Sequence, residues 1–167
     1  MIKKLKTLCD KHDTFMFDLD RTVFDTYTKM GEPIWAKQMI PPLVNVNADT
    51  IRDDCFSLCT LQSGIRSVLE QLQIQDKNIG FISRGGIFDL EYKKQPSVLL
   101  LQKFGIYNQF SHKHILLYKD DNKADQLSVM GSCVFFDDMD RDLDSARKLN
   151  GVEVCDRKEF ETWKDLL

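Results

Sequence analysis

No stretch of this sequence approaches the roughly 18 consecutive apolar residues that a bilayer-spanning helix needs. The basic opening Met1–Lys6 lacks the apolar core of a secretory leader. Neither sign of charge dominates: 23 Lys and Arg stand against 26 Asp and Glu, a net charge of −3. That leaves no electrostatic reason to expect nucleic acid or an anionic membrane as partner. The five cysteines, Cys9, Cys55, Cys59, Cys133 and Cys155, are odd in number and scattered. They suit reduced thiols in a cytoplasmic protein better than a disulfide framework. Cys55 and Cys59 have no second Cys or His pair at zinc-site spacing, so packing is the expected role. Repeats and low-complexity segments are also missing.

What remains is an ordinary globular composition. With 167 residues, 43% of them hydrophobic, the chain can bury a core and is expected to form a single domain over 1–167. Its acidic residues are clustered locally, at Asp120-Asp121 and from Asp137-Asp138 to Asp144.

The hydrophobic pattern predicts an alternation of helices and strands. Ile2, Leu5, Leu8 and Cys9 share one face of a short helix over 2–11. The apolar run Thr14–Phe17 reads as a buried strand. Residues 24–62, with Pro33, Trp35 and Pro41-Pro42, read as a loop or short hairpin flap without a core of its own. Ile65, Val68, Leu69 and Leu72 have the i, i+3, i+4, i+7 spacing of an amphipathic helix, with Ser63 as the predicted N-cap.

Asn78–Ser83 is a second strand, followed by Arg84-Gly85-Gly86, whose glycines allow close backbone approach to a ligand. Pro96 opens a helix that Gly105 closes. His114–Tyr118 is a third strand, and Asn122 caps a brief helix holding Lys123, Leu127 and Met130. Ser132–Phe136 is a fourth strand. A helix with Leu143, Ala146 and Leu149 follows, stopping at Asn150-Gly151. Gly151–Cys155 is a fifth strand. A last helix opens with Asp156 and Glu159 at capping-box spacing and buries Phe160, Trp163 and Leu167. Strands alternating with helices predict an α/β, Rossmann-like parallel sheet with right-handed crossovers.

In such a sheet all carboxyl ends lie along one edge, where ligands bind. The polar residues that terminate the strands therefore converge: Asp18 and Asp20 after the first, Ser83 after the second, Asp137 and Asp138 after the fourth, with Lys123 opening the helix before it. The chemistry that wants this set is phosphoryl transfer. Asp18, Asp138 and a phosphate dianion repel each other, each like-charge pair at about 4 Å costing on the order of 4 kcal/mol at an effective dielectric near 20. A cation must sit among them, and hard carboxylate and carbonyl oxygens select Mg²⁺. The Ser83 hydroxyl, backbone N–H groups and Lys123 then hold the remaining phosphoryl oxygens. Asp20 is placed to handle protons.

These residues resemble the motifs of the haloacid dehalogenase (HAD) superfamily of aspartate-nucleophile phosphohydrolases. Asp18-Leu19-Asp20-Arg21-Thr22 matches its DxDxT motif behind an apolar strand, and Ser83 matches its second motif. Lys123 is the better match to its third, with Lys119 the rival. Asp137-Asp138, with Asp142 four residues on, matches its fourth. Within the superfamily the chain is most similar to the small magnesium-dependent phosphatases typified by magnesium-dependent phosphatase 1. Phe135-Phe136-Asp137-Asp138 with Asp142, the pair Ser83-Arg84, and Thr50-Ile51-Arg52-Asp53 carry that likeness.

The resemblance implies a three-layer HAD-like fold with a minimal cap or flap. It implies a phosphomonoester hydrolase in which Asp18 is the nucleophile and Asp20 the general acid and base. Mg²⁺ would be held by Asp18, the main-chain carbonyl of Asp20, and Asp138, with Asp137 and Asp142 in or near the next layer. Thr22 would fix the loop between the two aspartates, and Arg84 could grip substrate or phosphate. The implied partner is a small phosphomonoester or a phosphotyrosine-like substrate. Two other readings stand beside it. One is a phosphotransferase or carrier-loading domain on the same fold, which product analysis would separate. The other is a phosphate-binding module without catalysis, against which the second carboxylate at Asp20 argues.

Overall fold

The computed structural model describes residues 4–25, 59–86, 89–118 and 120–167. Seven strands lie among them: β1 (Thr14–Phe17), β2 (Phe24–Asp25), β3 (Thr60–Leu61), β4 (Asn78–Ser83), β5 (His114–Leu116), β6 (Cys133–Asp137) and β7 (Val152–Asp156). The described helices are α1 (Leu5–Cys9), α2 (Ile65–Ile74), α3 (Pro96–Lys103), α4 (Lys123–Ser128) and α5 (Asp140–Ala146). Five strands form one sheet in the order β5-β4-β1-β6-β7, every pairing parallel. The chain runs outward from β1 through β4 to β5, then returns to β6 beside β1 and continues to β7. The strand order thus reverses between β1 and β6, the switch point at which open α/β sheets bind ligands.

Alternate residues of the central strands enter opposite faces, as the pleat requires. Phe15 and Phe17 of β1 and Val134 and Phe136 of β6 join a large core with Leu5, Leu8, Leu69, Leu72, Leu100 and Leu101 of α1, α2 and α3. Met16, Cys133 and Phe135 join a smaller core with Leu127 of α4 and Ala146 of α5. Helices therefore cover both faces of the sheet, in three layers. Because β1 and β6 are buried on both sides, they read as continuous apolar runs instead of alternating ones. Cys9, Cys59, Cys133 and Cys155 are buried, which for Cys59 accords with the packing role expected of it; Cys55 lies outside the described residues.

Several local expectations change at the element ends. The residue before α2 is Gly64, at φ +84°, and Ser63 makes no side-chain cap. Instead the Ser63 carbonyl accepts the Trp163 N–H at 2.9 Å. A Cβ on Gly64 would stand 2.8 Å from Lys164, so the C-terminal segment lies against this glycine too closely for any side chain. Pro96 does open α3. Gly105 closes it through the Schellman pair Gly105 N–H to Gln102 O and Ile106 N–H to Leu101 O, both 3.0 Å.

The expected last helix is instead two 3₁₀ turns, Arg157–Glu159 and Trp163–Leu166. The Asp156 side chain caps the first by accepting from the Lys158 N–H, while the capping box belongs to Thr162 and Asp165 of the second. Phe160 and Thr162 are extended between them, and Arg157 donates to the Phe160 carbonyl at 2.6 Å. That break turns Leu166 into the core and leaves Leu167 half-exposed. The flap expected over 24–62 lies largely outside the described residues. At its base β2 and β3 pair antiparallel, Phe24 with Leu61 and Asp25 with Thr60.

Candidate active site

Asp18 is the first residue beyond β1, where its N–H donates to the Phe136 carbonyl at 2.8 Å and extends the β1–β6 pairing by one bond. Asp137 is the last residue of β6, and Asp138 follows it. The switch point thus places three carboxylates side by side. All are buried, and one oxygen from each lies within 4.8 Å of the others.

Lys123 enters from the first turn of α4, which Asn122 caps by accepting the Ala124 N–H at 3.0 Å. Its Nζ lies 2.5 Å from Asp18 Oδ1, 2.7 Å from Asp137 Oδ2 and 3.7 Å from Asp142 Oδ2. Asp142, 1% exposed in the first turn of α5, is gripped from its other side by Arg84. Arg84 Nη1 is 2.6 Å from Asp142 Oδ2, Nη2 bonds Asp142 Oδ1, and Nε donates to the Asp121 carbonyl at 3.0 Å. Arg84, expected on substrate or phosphate, is therefore placed on Asp142. Lys119 lies outside the described residues.

Electrostatics follow from burial. Burial foremost pushes the Asp18 carboxyl up to about 6; Asp20 and Asp138 add to this, while Lys123 opposes it. Burial and then Asp18 push Asp137 up to about 7, against the pull of Lys123 and of the Met139 N–H, which donates to Asp137 Oδ1 at 2.8 Å. Asp138 is also raised by burial, and Arg21, with Nε 3.2 Å from Asp138 Oδ2, opposes that rise. Burial alone would lower the Lys123 ammonium, but Asp18 and Asp137 outweigh it and hold the amine protonated well above its usual range. Three buried carboxylates against one buried ammonium and the half-exposed Arg21 guanidinium remain short of positive charge. Hard oxygen donors this close together, under-compensated, fit a small divalent cation.

Asp20 and Ser83 both lie beside Gly85, just beyond β4. A Cβ on Gly85 would stand 3.3 Å from Asp20 Oδ2, 3.5 Å from Ser83 Oγ and 3.0 Å from the Oγ of buried Ser97. The Gly85 N–H donates to Ser83 Oγ at 3.2 Å. Gly85 thus leaves open the space that these three groups border. Gly86 answers a different need: its added Cβ would meet the Leu117 carbonyl at 2.9 Å, so its close approach is to the chain beyond β5.

Three features were not readable beforehand. Arg21, in left-handed backbone at φ 65°, lays its side chain against Asp138. Thr22 holds its loop through its carbonyl, which accepts the Trp163 indole N–H at 2.9 Å, while its buried hydroxyl has no hydrogen-bond partner among the described residues. Gln62 donates to the Arg21 carbonyl at 3.3 Å. A tryptophan in an apolar pattern reads as core, and nothing in its spacing signals the hydrogen bond.

No family model and no curated protein matches this sequence. Solved structures do. A provisionally assigned phosphatase from Clostridium difficile matches over 86% of this chain and 84% of its own, with a TM-score of 0.57 and 14% identity. A hydrolase from Streptococcus pneumoniae TIGR4 matches over 93% of this chain and 96% of its own, with a TM-score of 0.60 and 14% identity. The chain therefore shares its three-layer, Rossmann-like α/β fold with these two structures. At such identity the likeness is one of fold.

Proposed function

We propose that this chain is a Mg²⁺-dependent phosphomonoester hydrolase of the HAD type, working through an aspartyl-phosphate on Asp18, in the manner of the small magnesium-dependent phosphatase 1 group. The observation that carries this reading is the Lys123 amine lodged between Asp18 and Asp137 inside a buried three-carboxylate cluster at the sheet's switch point. Two structures of the same fold, described as a phosphatase and a hydrolase, support it.

In this reading Asp18, Asp138 and the main-chain carbonyl of Asp20 would hold Mg²⁺, which when bound would supply positive charge to offset that of the phosphate and the carboxylates. Ser83 Oγ and Lys123 Nζ hold phosphoryl oxygens. A carboxylate oxygen of Asp18 attacks phosphorus as the bond to the leaving oxygen breaks, and Asp20 gives that oxygen its proton. Asp20, now ionised, takes a proton from water as that water attacks the aspartyl-phosphate, releasing inorganic phosphate and restoring both carboxyls. Asp137 and Asp142 hold Lys123 from behind, and Arg84 holds Asp142. Thr22 fixes the turn that carries Asp20. Substrates are small phosphomonoesters or phosphotyrosine-like groups, met in the cytoplasm.

The test is a panel of phosphorylated sugars, nucleotides, amino acids and phosphotyrosine, incubated with the chain and Mg²⁺. Stoichiometric release of inorganic phosphate, abolished by chelation, is the expected result. Failure to release phosphate from any member overturns the proposal, as does delivery of the phosphoryl group only to an added acceptor.

A further inference from the structure

The turn that carries Asp20 is held from the far end of the chain. Three N–H groups, of Thr22, Val23 and Phe24, converge on the Leu19 carbonyl at 3.3, 2.8 and 3.0 Å. They wind residues 19–24 into a tight turn whose corner is Arg21, at φ 65°. A left-handed arginine persists only where its surroundings over-determine it. Here the turn points two successive carbonyls, those of Arg21 and Thr22, away from itself, and both are met by side chains. Gln62 meets the first and the Trp163 indole meets the second. Arg157 Nη2 in turn holds Gln62 Oε1 at 3.0 Å, so both supports trace back to residues 157–163.

Trp163 is fully buried, and its ring packs on Phe17 at 5.5 Å and Phe136 at 5.1 Å between centroids. These are the residues immediately before Asp18 and Asp137. One side chain therefore touches the ends of both central strands and the turn that carries Asp20. The seat itself is specific: Gly64 admits the Trp163–Lys164 backbone where a Cβ would collide, and Thr162 and Asp165 lock that turn with a reciprocal capping box.

We propose that Trp163 is a positioning residue for the Asp18–Thr22 loop: its indole N–H, with Gln62 as second support, aims the Asp20 side chain and the Asp20 carbonyl. The inference rests on the phosphatase reading of Asp18 and Asp20. Packing alone would ask only for a large apolar ring; the positioning role asks for the donor.

The test compares Trp163→Phe, which keeps the ring and deletes the donor, with Gln62→Leu, which removes the second support without touching the core. Leu72→Ala on α2, remote from the loop, is the control for stability. Full-length chains are assayed with Mg²⁺ and p-nitrophenyl phosphate, and Mn²⁺ affinity is read separately by electron paramagnetic resonance. Trp163→Phe lowers kcat about ten- to hundredfold with KM changed less than about twofold, and weakens Mn²⁺ about tenfold. Gln62→Leu moves both in the same direction by less, and Leu72→Ala lowers Tm while leaving both near wild type. Wild-type kcat and Mn²⁺ affinity in Trp163→Phe overturn the proposal, and so does an equal fall in Leu72→Ala. If Trp163→Phe does not fold, unchanged values in Gln62→Leu overturn it. An inactive wild type sinks the phosphatase reading instead. The Mn²⁺ comparison then still decides whether Trp163 sets the loop.

Discussion

Lys123 Nζ lies 2.5 Å from Asp18 Oδ1 although 105 positions separate the two residues in the chain. Both are buried, Lys123 to 2% exposure. Neither would be tolerated there alone, since an uncompensated charge in such surroundings is strongly destabilising. The pair joins β1 to α4 and stands where the sheet's strand order reverses, so the contact that stabilises the site also forms part of it.

Removing the ammonium therefore acts on stability and on chemistry together. Lys123→Met leaves Asp18 and Asp137 buried without their shared partner and lowers stability by about 3–5 kcal/mol in the metal-free protein. Part of that loss is recovered on adding Mg²⁺, whereas phosphatase activity falls at least about a hundredfold and stays low. Thermal unfolding with and without Mg²⁺, beside the activity assay, checks both halves.

The raised carboxyls give the metal-free protein a pH dependence of definite sign. Asp18 at about 6 and Asp137 at about 7 hold protons in the native state that the unfolded chain, with carboxyls near 3.8, has already lost. Stability is thus fullest below about pH 4 as far as these groups are concerned, and is lost as pH rises through 6 and 7. Lys123 is protonated in both states across that window and adds no slope. The loss falls between pH 4 and 8. Mg²⁺ flattens it by compensating the ionised carboxylates. Denaturant titrations at several pH values, with chelator and with Mg²⁺, measure the difference.

Arg84 and Asp142 are expected to behave as one unit. Arg84→Ala leaves the nearly inaccessible Asp142 carboxylate without its two guanidinium hydrogen bonds, and Asp142→Asn removes the charge they serve. A double-mutant cycle in stability gives a coupling of about 2 kcal/mol. Arg84→Ala lowers kcat more than it raises KM, because the guanidinium acts through Asp142 on Lys123. A large rise in KM with kcat unchanged would instead put Arg84 on the substrate.

The sheet and its edge were legible because they rest on the strongest signals a sequence carries. Apolar runs ending in carboxylates at Phe17-Asp18 and Phe136-Asp137 mark strands buried on both faces, and parallel topology then brings their ends together. Lys123 was readable from the Asn122 cap in front of it and from the order of the motifs. The C-terminal segment was not. Asp156 and Glu159 have capping-box spacing, yet Arg157 takes the Phe160 carbonyl and breaks the helix that this spacing promised. Ser63 looks like a cap, but Gly64 is dictated by the backbone of Trp163 and Lys164, a contact 99 positions and more away along the chain. Arg84 follows a strand end that points at phosphate, and only the packing of α5 reveals that Asp142 is close enough to claim it. Such tertiary contacts leave no local pattern.

Everything in the proposed reaction passes through Asp18, so the most direct measurement is Mg²⁺-dependent hydrolysis of p-nitrophenyl phosphate by Asp18→Asn beside the wild-type chain. Asn keeps the size of the side chain and removes the attacking oxygen anion. The account predicts a fall of at least about a thousandfold in kcat with the fold intact by circular dichroism. Full activity in Asp18→Asn would contradict it.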